Sequence, residues 1–263
     1  MIPKIIHYCW FGRGKFTLEI EKCMASWRKY CPDWEICRWD EDNSPMDIPW
    51  IRDAYKMHQY AFVADYVRLY VLYKRGGIYL DTDMLLIHSL DVFLNEQKFI
   101  GREDKNYASF GIIGMPPGDE FCKLCLEYYD NSVFDNKHRI TINRIITPIL
   151  EQYGFEHNDV SQTLTNGLTV FCSSYFYPVH YRDTFNVEDL FNPPYGGFVK
   201  PNVPTYAIHL WNKSWAHEME LFSKKRYKEG FVKVWWRIKH NPKQPIKYYK
   251  KVIKYFIKFL LGE

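Results

Sequence analysis

YAFVADYVRLYVLYKRGGIYLDTDMLLI, residues 60–87, is the stretch of sequence that decides the fold. Apolar residues recur at helical spacing from Tyr60 to Lys74 and predict a helix. The helix is expected to end at Gly76 and Gly77, because glycine suits the left-handed turn that closes many helices. The apolar run 78–87 then predicts a strand. A helix followed directly by a strand is typical of an α/β fold.

Two carboxylates, Asp81 and Asp83, stand in this predicted strand. Alternate side chains of an extended chain share a face, so Tyr79, Asp81 and Asp83 are expected to point the same way. Such a pair can hold a hard divalent cation, and the cation can neutralise a diphosphate. A DxD pattern is also common in solvated surface turns. The preceding Gly-Gly pair and polar helix favour the metal-site interpretation here.

The predicted helix carries Asp65 and Arg68, three residues apart. Side chains at this spacing share one face of a helix. They could form a simple ion pair, or they could together bind sugar hydroxyls or phosphate oxygens. The spacing alone leaves both interpretations open.

Strands and helices alternate through the first half of the chain, and the second half is less regular. This pattern favours an α/β sheet. Strands are predicted in PKIIHYCWFG, DWEICRWD and ASFGIIGMPP, helices in TLEIEKCMASWRKY, EFCKLCLEYYDN and TINRIITPILEQYG, a loop in EDNSPMDIPW, and a late strand or loop in TYAIHLWNKSW.

Charge is distributed unevenly along the chain. Residues 224–263 hold 13 Lys and Arg against 2 Asp and Glu, whereas residues 1–223 hold 22 against 29. An acidic body argues against nucleic acid as a partner. We therefore expect a catalytic domain over residues 1–223 and a basic helical tail over residues 224–263.

The end of the tail predicts an amphipathic helix from Ile246 to Leu261. On a helical wheel its lysines fall within an arc of about 100°, and they are Lys247, Lys250, Lys251, Lys254 and Lys258. Such a helix is expected to lie on an anionic membrane surface. The alternative is that its aromatic face packs on the body while its lysines stay in water.

The seven cysteines favour a reduced, cytoplasmic protein over a disulfide framework. Cys122 and Cys125 form a CxxC within a predicted helix, where core packing is the favoured interpretation. The sequence MIPKIIHYCWFG is not expected to be a signal peptide. No window of about 18 uninterrupted apolar residues predicts a transmembrane helix.

The run ADYVRLYVLYKRGGIYLDTDM, residues 64–84, with the opening IPKIIHYCWFG and the late AIHLWNKSW, resembles glycosyltransferase family 32. That family contains yeast-type initiating mannosyltransferases, α-galactosyltransferases and bacterial capsule or lipopolysaccharide enzymes, and is related to the glucosyltransferase domains of large clostridial toxins. The combined pattern ADxxRxxxLxxxGGxYxDxD is highly specific. The resemblance implies a GT-A type, Rossmann-like nucleotide-sugar-binding fold with a mixed central sheet.

The resemblance also implies roles in binding the nucleotide-sugar. Asp65 and Arg68 would bind the sugar, and Tyr79 would lie in its pocket. Trp10 would stack on or line the base. From the residues alone, a buried aromatic at the end of a strand is the more common explanation of Trp10.

The implied metal ligands are Asp83, Asp81 and His209. Asp83 would bind the metal directly, and Asp81 would contact the ribose or bind the metal through water. Ser214 and Trp215 would lie near the β-phosphate. From the residues alone, His209 could be a core or interface histidine. Arg68, Asp81 and Asp83 are the residues expected to be catalytic. Two segments match the family loosely, so Ser109, Phe110 and Asn143 are weaker candidates for the site.

The expected reaction is retaining transfer of a hexose or N-acetylhexosamine, with Mn²⁺ or Mg²⁺ as cofactor and departure of the diphosphate from the face that is attacked. A UDP-sugar is favoured as donor, and GDP-mannose is the other candidate. The expected acceptor is a saccharide, lipid-linked, in surface polysaccharide biosynthesis at the inner face of the cell membrane. The alternatives are a metal-dependent phosphotransferase or nuclease and an inactive carbohydrate-binding domain.

Overall fold

The computed structural model describes residues 1–136, 138–183, 185–211, 222, 225, 227–240 and 246–262. The chain divides into two compact units, Met1–Asn212 and Lys213–Glu263. The sequence placed a boundary after residue 223, whereas this division lies earlier, so the second unit contains more than the predicted tail.

A seven-stranded sheet forms the centre of the first unit, with strand order β2-β1-β3-β6-β5-β8-β7. The pairs of β1 with β2, β1 with β3 and β5 with β8 are parallel, and the others are antiparallel. A separate antiparallel ribbon joins β4 to β9. The strands are β1 (Ile5–Cys9), β2 (Glu35–Trp39), β3 (Gly77–Leu80), β4 (Met84–Leu86), β5 (Lys98–Arg102), β6 (Ala108–Met115), β7 (Gln162–Thr163), β8 (Leu168–Phe171) and β9 (Ala207–His209).

Helices cover both faces of this sheet, and the predicted α/β class with a mixed central sheet is confirmed. One buried cluster packs helix side chains such as Val67 and Ile146 against Ile113, and a second packs Trp27 against Ile78. The helices are α1 (Leu18–Tyr30), α2 (Pro49–Lys56), α3 (Tyr60–Arg75), α4 (Glu120–Asp130), α5 (Ile142–Glu151), α6 (Tyr227–His240) and α7 (Ile246–Leu260).

Most of the predicted elements are present, and their ends follow local chemistry. Thr17 caps α1 by accepting from the backbone N–H of Ile20, and Asp119 caps α4 in the same way. The helix α2 was not predicted, because its sequence is short and lies next to Pro, Asp and Asn residues. It begins at Pro49, a residue that is well suited to the first turn of a helix.

The predicted continuous strand 78–87 is wrong. The chain leaves β3 at Leu80, turns through Asp81 to Asp83, and resumes as β4 at Met84. The backbone N–H of Met84 donates to the carbonyl of Asp81, which closes this turn. The two carboxylates are therefore brought together by a turn and not by the alternation of a strand.

The Gly76–Gly77 turn before β3 is held by a buried histidine of the neighbouring strand. Both glycines have positive φ, which the sequence predicted for Gly77. His7 Nδ1 accepts from Trp39 Nε1 at 3.0 Å, so the proton is on Nε2, which donates to the carbonyl of Gly76 at 2.8 Å. The ring must be neutral to make both bonds, and burial lowers the pKa of His7 to about 4.

The second unit contains α6 and α7, and the predicted amphipathic helix at the end of the chain is confirmed as a helix. Within the unit, the ring of Phe222 lies 5.0 Å from that of Tyr255, and the ring of Phe231 lies 5.8 Å from that of Phe259. None of the described helices is long and apolar enough to cross a membrane.

His7 is expected to make the stability of the protein depend on pH. In the unfolded chain His7 is protonated below a pH of about 6.5, whereas in the folded chain it stays neutral down to a pH of about 4. Stability from this residue is therefore present above pH 6.5 and lost as the pH falls towards 4, by about 3 kcal/mol at most. The free energy of unfolding, measured with urea, should fall less between pH 7.5 and pH 5.0 for His7→Gln than for the wild type. His157→Gln, at a half-exposed site, is the control, and equal losses for all three proteins would contradict the assignment.

Candidate active site

The Asp81–Asp83 turn is fixed from three sides by hydrogen bonds to its backbone and to the residue after it. The N–H of Asp81 donates to the carbonyl of Gly111 at 2.8 Å, and the N–H of Leu210 donates to the carbonyl of Asp83 at 3.0 Å. The indole of Trp27 donates to the carbonyl of Met84 at 2.7 Å. Strand β6, the segment after β9 and helix α1 thus hold the turn in place.

Asp81, Asp83 and His209 converge at this turn, with one potential ligand atom of each within 4.8 Å of the others. The pairing of β4 with β9 places His209 opposite Met84. His209 Nε2 lies 3.2 Å from Asp83 Oδ1. Among the described residues none forms a hydrogen bond with the buried Nδ1 of His209. Two carboxylates and one imidazole are a donor set that fits a divalent cation.

Burial and the nearby charges shift the pKa of His209 in opposite directions. Burial lowers its pKa, but the nearby carboxylates of Asp83, Asp81 and Glu103 outweigh burial, so the pKa is raised above 6.5. A proton and a cation would compete for this ring, because a histidine ligand must be neutral.

Arg68 joins the helix α3 to the turn. Its guanidinium lies 3.1 Å from Asp65 Oδ1 and 3.3 Å from Asp81 Oδ1, and it donates to the carbonyl of Phe110 at 2.7 Å. The phenol of Tyr79 donates to Asp81 Oδ1 at 3.1 Å, and its ring centre lies 4.6 Å from the guanidinium carbon. The predicted ion pair of Asp65 and Arg68 is therefore present, and it extends to the DxD turn.

Asp65 is buried in this network. Burial raises its pKa to about 7, Arg68 acts against this rise, and the carboxylate of Asp81 adds to it. Burial lowers the pKa of Arg68, but Asp81, Tyr79 and Asp65 outweigh burial and raise it, so the guanidinium stays charged. The network thus places one fixed positive charge between two acidic side chains.

Trp10 follows β1, and its backbone N–H donates to the carbonyl of Trp39 on the adjacent β2. Its ring packs 4.8 Å from the ring of Phe16, and its indole donates to the carbonyl of Gly14 at 2.7 Å. It stands at the end of β1, the strand that pairs in parallel with β3, and its predicted contact with a base stays a prediction. Ser214 and Trp215 lie outside the described residues.

The weaker candidates occupy different places. The carbonyl of Phe110 accepts a hydrogen bond from Arg68, as described above. Ser109 is buried and hydrogen-bonds to Tyr177. The amide of Asn143 donates to Glu103, a carboxylate that raises the pKa of His209.

Two residues near the site were not predicted from the sequence, Glu103 and Tyr177. The ring of Tyr177 lies 5.5 Å from that of His209. A Cβ atom added to Gly111 would meet the Tyr177 hydroxyl at 2.9 Å and Asp81 Oδ2 at 3.1 Å, so this position has room for glycine alone. Neither residue belongs to a short motif, so the sequence held no local signal for it.

Two family models match the chain. Residues 18–100 match the glycosyltransferase sugar-binding region containing the DXD motif. Residues 114–233 match the α1,4-glycosyltransferase conserved region. The first match spans Asp65, Arg68 and the DxD turn, and the second spans Asn143 and His209. The resemblance to DXD-containing glycosyltransferases that the sequence predicted is confirmed over these residues.

Individual relatives match over part of the chain. Human α-1,4-N-acetylglucosaminyltransferase is 27% identical over 159 residues, which is 57% of this chain and 42% of the relative. Inositol phosphoceramide mannosyltransferase 3 of Schizosaccharomyces pombe is 33% identical over 129 residues, which is 46% of this chain and 35% of the relative. The chain thus spans less than half the length of these relatives. A solved structure, the PaToxG glycosyltransferase, is 17% identical with a TM-score of 0.46, covering 57% of this chain and 68% of its own.

Removing the Arg68 charge is expected to destabilise the fold strongly. Arg68→Met would leave Asp65 buried without its cation, at a cost of about 3–5 kcal/mol. Adding Asp65→Asn should recover at least about 1 kcal/mol, because the two residues interact directly. Arg52→Met is the matched control, since its pair with Asp53 is partly exposed and is worth about 1 kcal/mol or less. Urea unfolding measures all four proteins, and equal losses for Arg68→Met and Arg52→Met would contradict the role of this network.

Proposed function

Because residues 18–100 match the glycosyltransferase sugar-binding region that contains the DXD motif, we propose that the chain transfers a sugar from a nucleotide-sugar to a saccharide acceptor with the help of a divalent cation. The observation that carries this proposal is the convergence of Asp81, Asp83 and His209 on one point. The buried Arg68–Asp65 pair, which contacts the same Asp81, places further polar groups on one side of that point.

The proposed cation is Mn²⁺, with Mg²⁺ as the other candidate, held by Asp83, Asp81 and His209. Carboxylates suit both ions, and an imidazole among the ligands favours the softer Mn²⁺. When bound, the cation would neutralise the leaving diphosphate. The chain itself positions the carboxylate, because Tyr79 and Arg68 orient Asp81 and the Gly111 carbonyl fixes the turn.

For the sugar itself we propose binding by Asp65 and Arg68, with Trp10 against the base of a UDP-sugar. A carboxylate and a guanidinium can together bind the hydroxyls of one hexose. Retention of the anomeric configuration is proposed to occur by attack on the face that the diphosphate leaves. Charged groups already oriented around the leaving group favour such a step.

The acceptor is proposed to be a lipid-linked saccharide, as in surface polysaccharide biosynthesis such as that of capsule or lipopolysaccharide. The names of two relatives are consistent with lipid acceptors, since one is a lactosylceramide 4-α-galactosyltransferase and another an inositol phosphoceramide mannosyltransferase. A lipid-linked acceptor would be reached at a membrane surface, and we propose the inner face of the cell membrane as the setting.

The helix α7 supports this setting. Its lysines form one stripe, and beside them lies an apolar stripe whose side chains are at least half exposed, namely Ile246, Ile253, Ile257 and Leu260. The aromatic residues Tyr255 and Phe259 take a third face, which packs inside the second unit. A helix with adjacent basic and apolar stripes fits the interface of an anionic bilayer.

Loss of both DxD carboxylates is expected to abolish the proposed activity. The wild type should release sugar from one of UDP-galactose, UDP-glucose, UDP-N-acetylglucosamine or GDP-mannose in a Mn²⁺-dependent way, and Asp81→Asn with Asp83→Asn should lower that rate about 100-fold or more. The matched control is Asp33→Asn, a carboxylate paired with Lys4 at the surface. Thermal shifts with each nucleotide, with and without Mn²⁺, complete the test.

Full Mn²⁺-stimulated release by the double variant would contradict the proposed metal site. A thermal shift caused by free sugar, with none from any nucleotide, would favour a carbohydrate-binding domain. Cleavage of a nucleic acid would favour a nuclease.

The tail is expected to bind anionic vesicles through both stripes of α7. In flotation with phosphatidylglycerol-containing vesicles, Lys250→Gln with Lys254→Gln should weaken binding about 10-fold at low salt. Ile253→Ser with Ile257→Ser should weaken it at low and high salt, because that contribution is apolar. Lys105→Gln with Lys123→Gln changes the same charge in the first unit and is the control. Failure of the wild type to float with these vesicles would contradict the proposed setting.

A further inference from the structure

A second group of polar side chains lies beside His209 and plays no part in the metal site. It begins at Glu103, the first residue after β5, in the loop that leads to β6. The N–H of Glu103 donates to the carbonyl of Tyr107 at 3.0 Å, and Asp104 Oδ1 accepts from the N–H of Asn106 at 2.7 Å. These bonds fix the backbone of the loop from which the Glu103 side chain extends.

The Glu103 carboxylate is half-buried and incompletely hydrogen-bonded. Its Oε2 accepts from the amide of Asn143 in the first turn of α5. Within the described parts of the chain, no group donates to its Oε1. Burial raises the pKa of Glu103 to about 7, and the neighbouring Asp104 adds to this effect. This oxygen is therefore available to accept a hydrogen bond from a ligand.

This carboxylate is near the metal ligands without being one of them. Its charge raises the pKa of His209 and that of Tyr177. Tyr177 is in turn in contact with the DxD side of the site, because its hydroxyl accepts from the N–H of Ile112 at 3.1 Å, next to Gly111. The Glu103 carboxylate therefore lies close enough to His209 and Tyr177 to act on both electrostatically.

Aromatic rings extend from His209 back to the Glu103 loop. The ring of Trp211 lies 4.2 Å from that of His209 and 5.7 Å from that of Tyr181. His180 lies 4.2 Å from Tyr181, ring to ring, and its Nε2 is 3.6 Å from Asp104 Oδ2. A carboxylate and an amide set beside flat rings is an arrangement that suits a pyranose, whose hydroxyls lie at its edge and whose faces are apolar.

We propose that this cluster binds the terminal sugar of the acceptor, with Glu103 accepting a hydrogen bond from one of its hydroxyls and Tyr181 and Trp211 flanking its ring. The inference rests on the proposed function, which places the nucleotide-sugar against Arg68 and Asp65. The two carboxylate groups, Asp65 and Glu103, then serve different sugars.

The chemistry of transfer is consistent with this division. The acceptor oxygen forms a bond to the anomeric carbon, the bond from that carbon to the diphosphate oxygen breaks, and the hydroxyl proton passes to the departing diphosphate. Glu103 neither gains nor loses a proton in this step. It orients the acceptor, so its loss should affect transfer to a sugar more than transfer to water.

The test compares Glu103→Gln with the wild type, each as the full chain with Mn²⁺ and the nucleotide-sugar that the wild type hydrolyses. Methyl glycosides of galactose, glucose, mannose and N-acetylglucosamine serve as acceptors, and release of nucleoside diphosphate is measured with and without them. The amide keeps the size of the side chain and can still accept from Asn143. Losing the charged hydrogen bond should lower the ratio of transfer to hydrolysis about 10-fold or more and raise the acceptor KM.

Two further variants make the result specific. Asn143→Ala frees the carboxylate from its amide partner and should lower the same ratio by a smaller factor, and it serves in place of Glu103→Gln if that variant melts much earlier. Glu151→Gln, a half-exposed carboxylate on the same helix as Asn143, should leave the ratio within about 2-fold.

An unchanged ratio and acceptor KM in Glu103→Gln would overturn the inference. A parallel fall in hydrolysis and transfer would also overturn it, since Glu103 would then serve the nucleotide-sugar. If no glycoside raises consumption of the nucleotide-sugar by the wild type, the acceptor subsite is contradicted while the proposed function stands. Absence of Mn²⁺-dependent nucleotide binding by the wild type would instead contradict the proposed function itself.

Discussion

The buried guanidinium of Arg68 is the interaction on which the arrangement of the site depends. A buried charge must have its hydrogen bonds and its counter-charge in place, or the fold loses several kcal/mol. Arg68 meets this requirement with one carboxylate from its own helix, one from the DxD turn and one carbonyl from β6. These three elements cannot move apart without breaking a bond to it. The position of Asp81 is therefore fixed by the stability of the core as well as by its turn.

Negative charge accumulates around this single cation. The pKa of Asp65 is raised by burial and by Asp81, and that of Glu103 is raised by burial and by Asp104. The pKa of His209 is raised by Asp83, Asp81 and Glu103. Burial contributes to the first two shifts, whereas at His209 the carboxylates outweigh burial. A site with this balance of charge attracts cations, and a divalent ion held by two of the carboxylates would offset their mutual repulsion.

Much of the fold could be predicted from the sequence because its signals are local. Helical spacing in α1, α3, α4 and α5 and apolar runs in β1 and β2 predicted those elements within one to three residues at each end. The DxD turn was mistaken for strand because its neighbours, Leu80 and Met84, are apolar on both sides. What a local pattern cannot predict is the meeting of Asp83 with His209, 126 positions later, which depends on the pairing of β4 with β9. That contact was expected from the family resemblance alone, and Glu103, which belongs to no motif, was missed.

The sheet also explains why the site has two sides. Strand β3 ends at the DxD turn, and β6 runs beside it, so Gly111 lies where the turn, Tyr177 and Asp81 approach each other. On the β3 side of this point are Tyr79 and the helix α3 with Arg68. On the other side β6 is joined to β5, whose loop carries Glu103. Because β3 and β5 lie on either side of β6 and both run antiparallel to it, they end at the same edge of the sheet. Two substrates bound to the two groups would therefore meet near the Asp81–Asp83 turn.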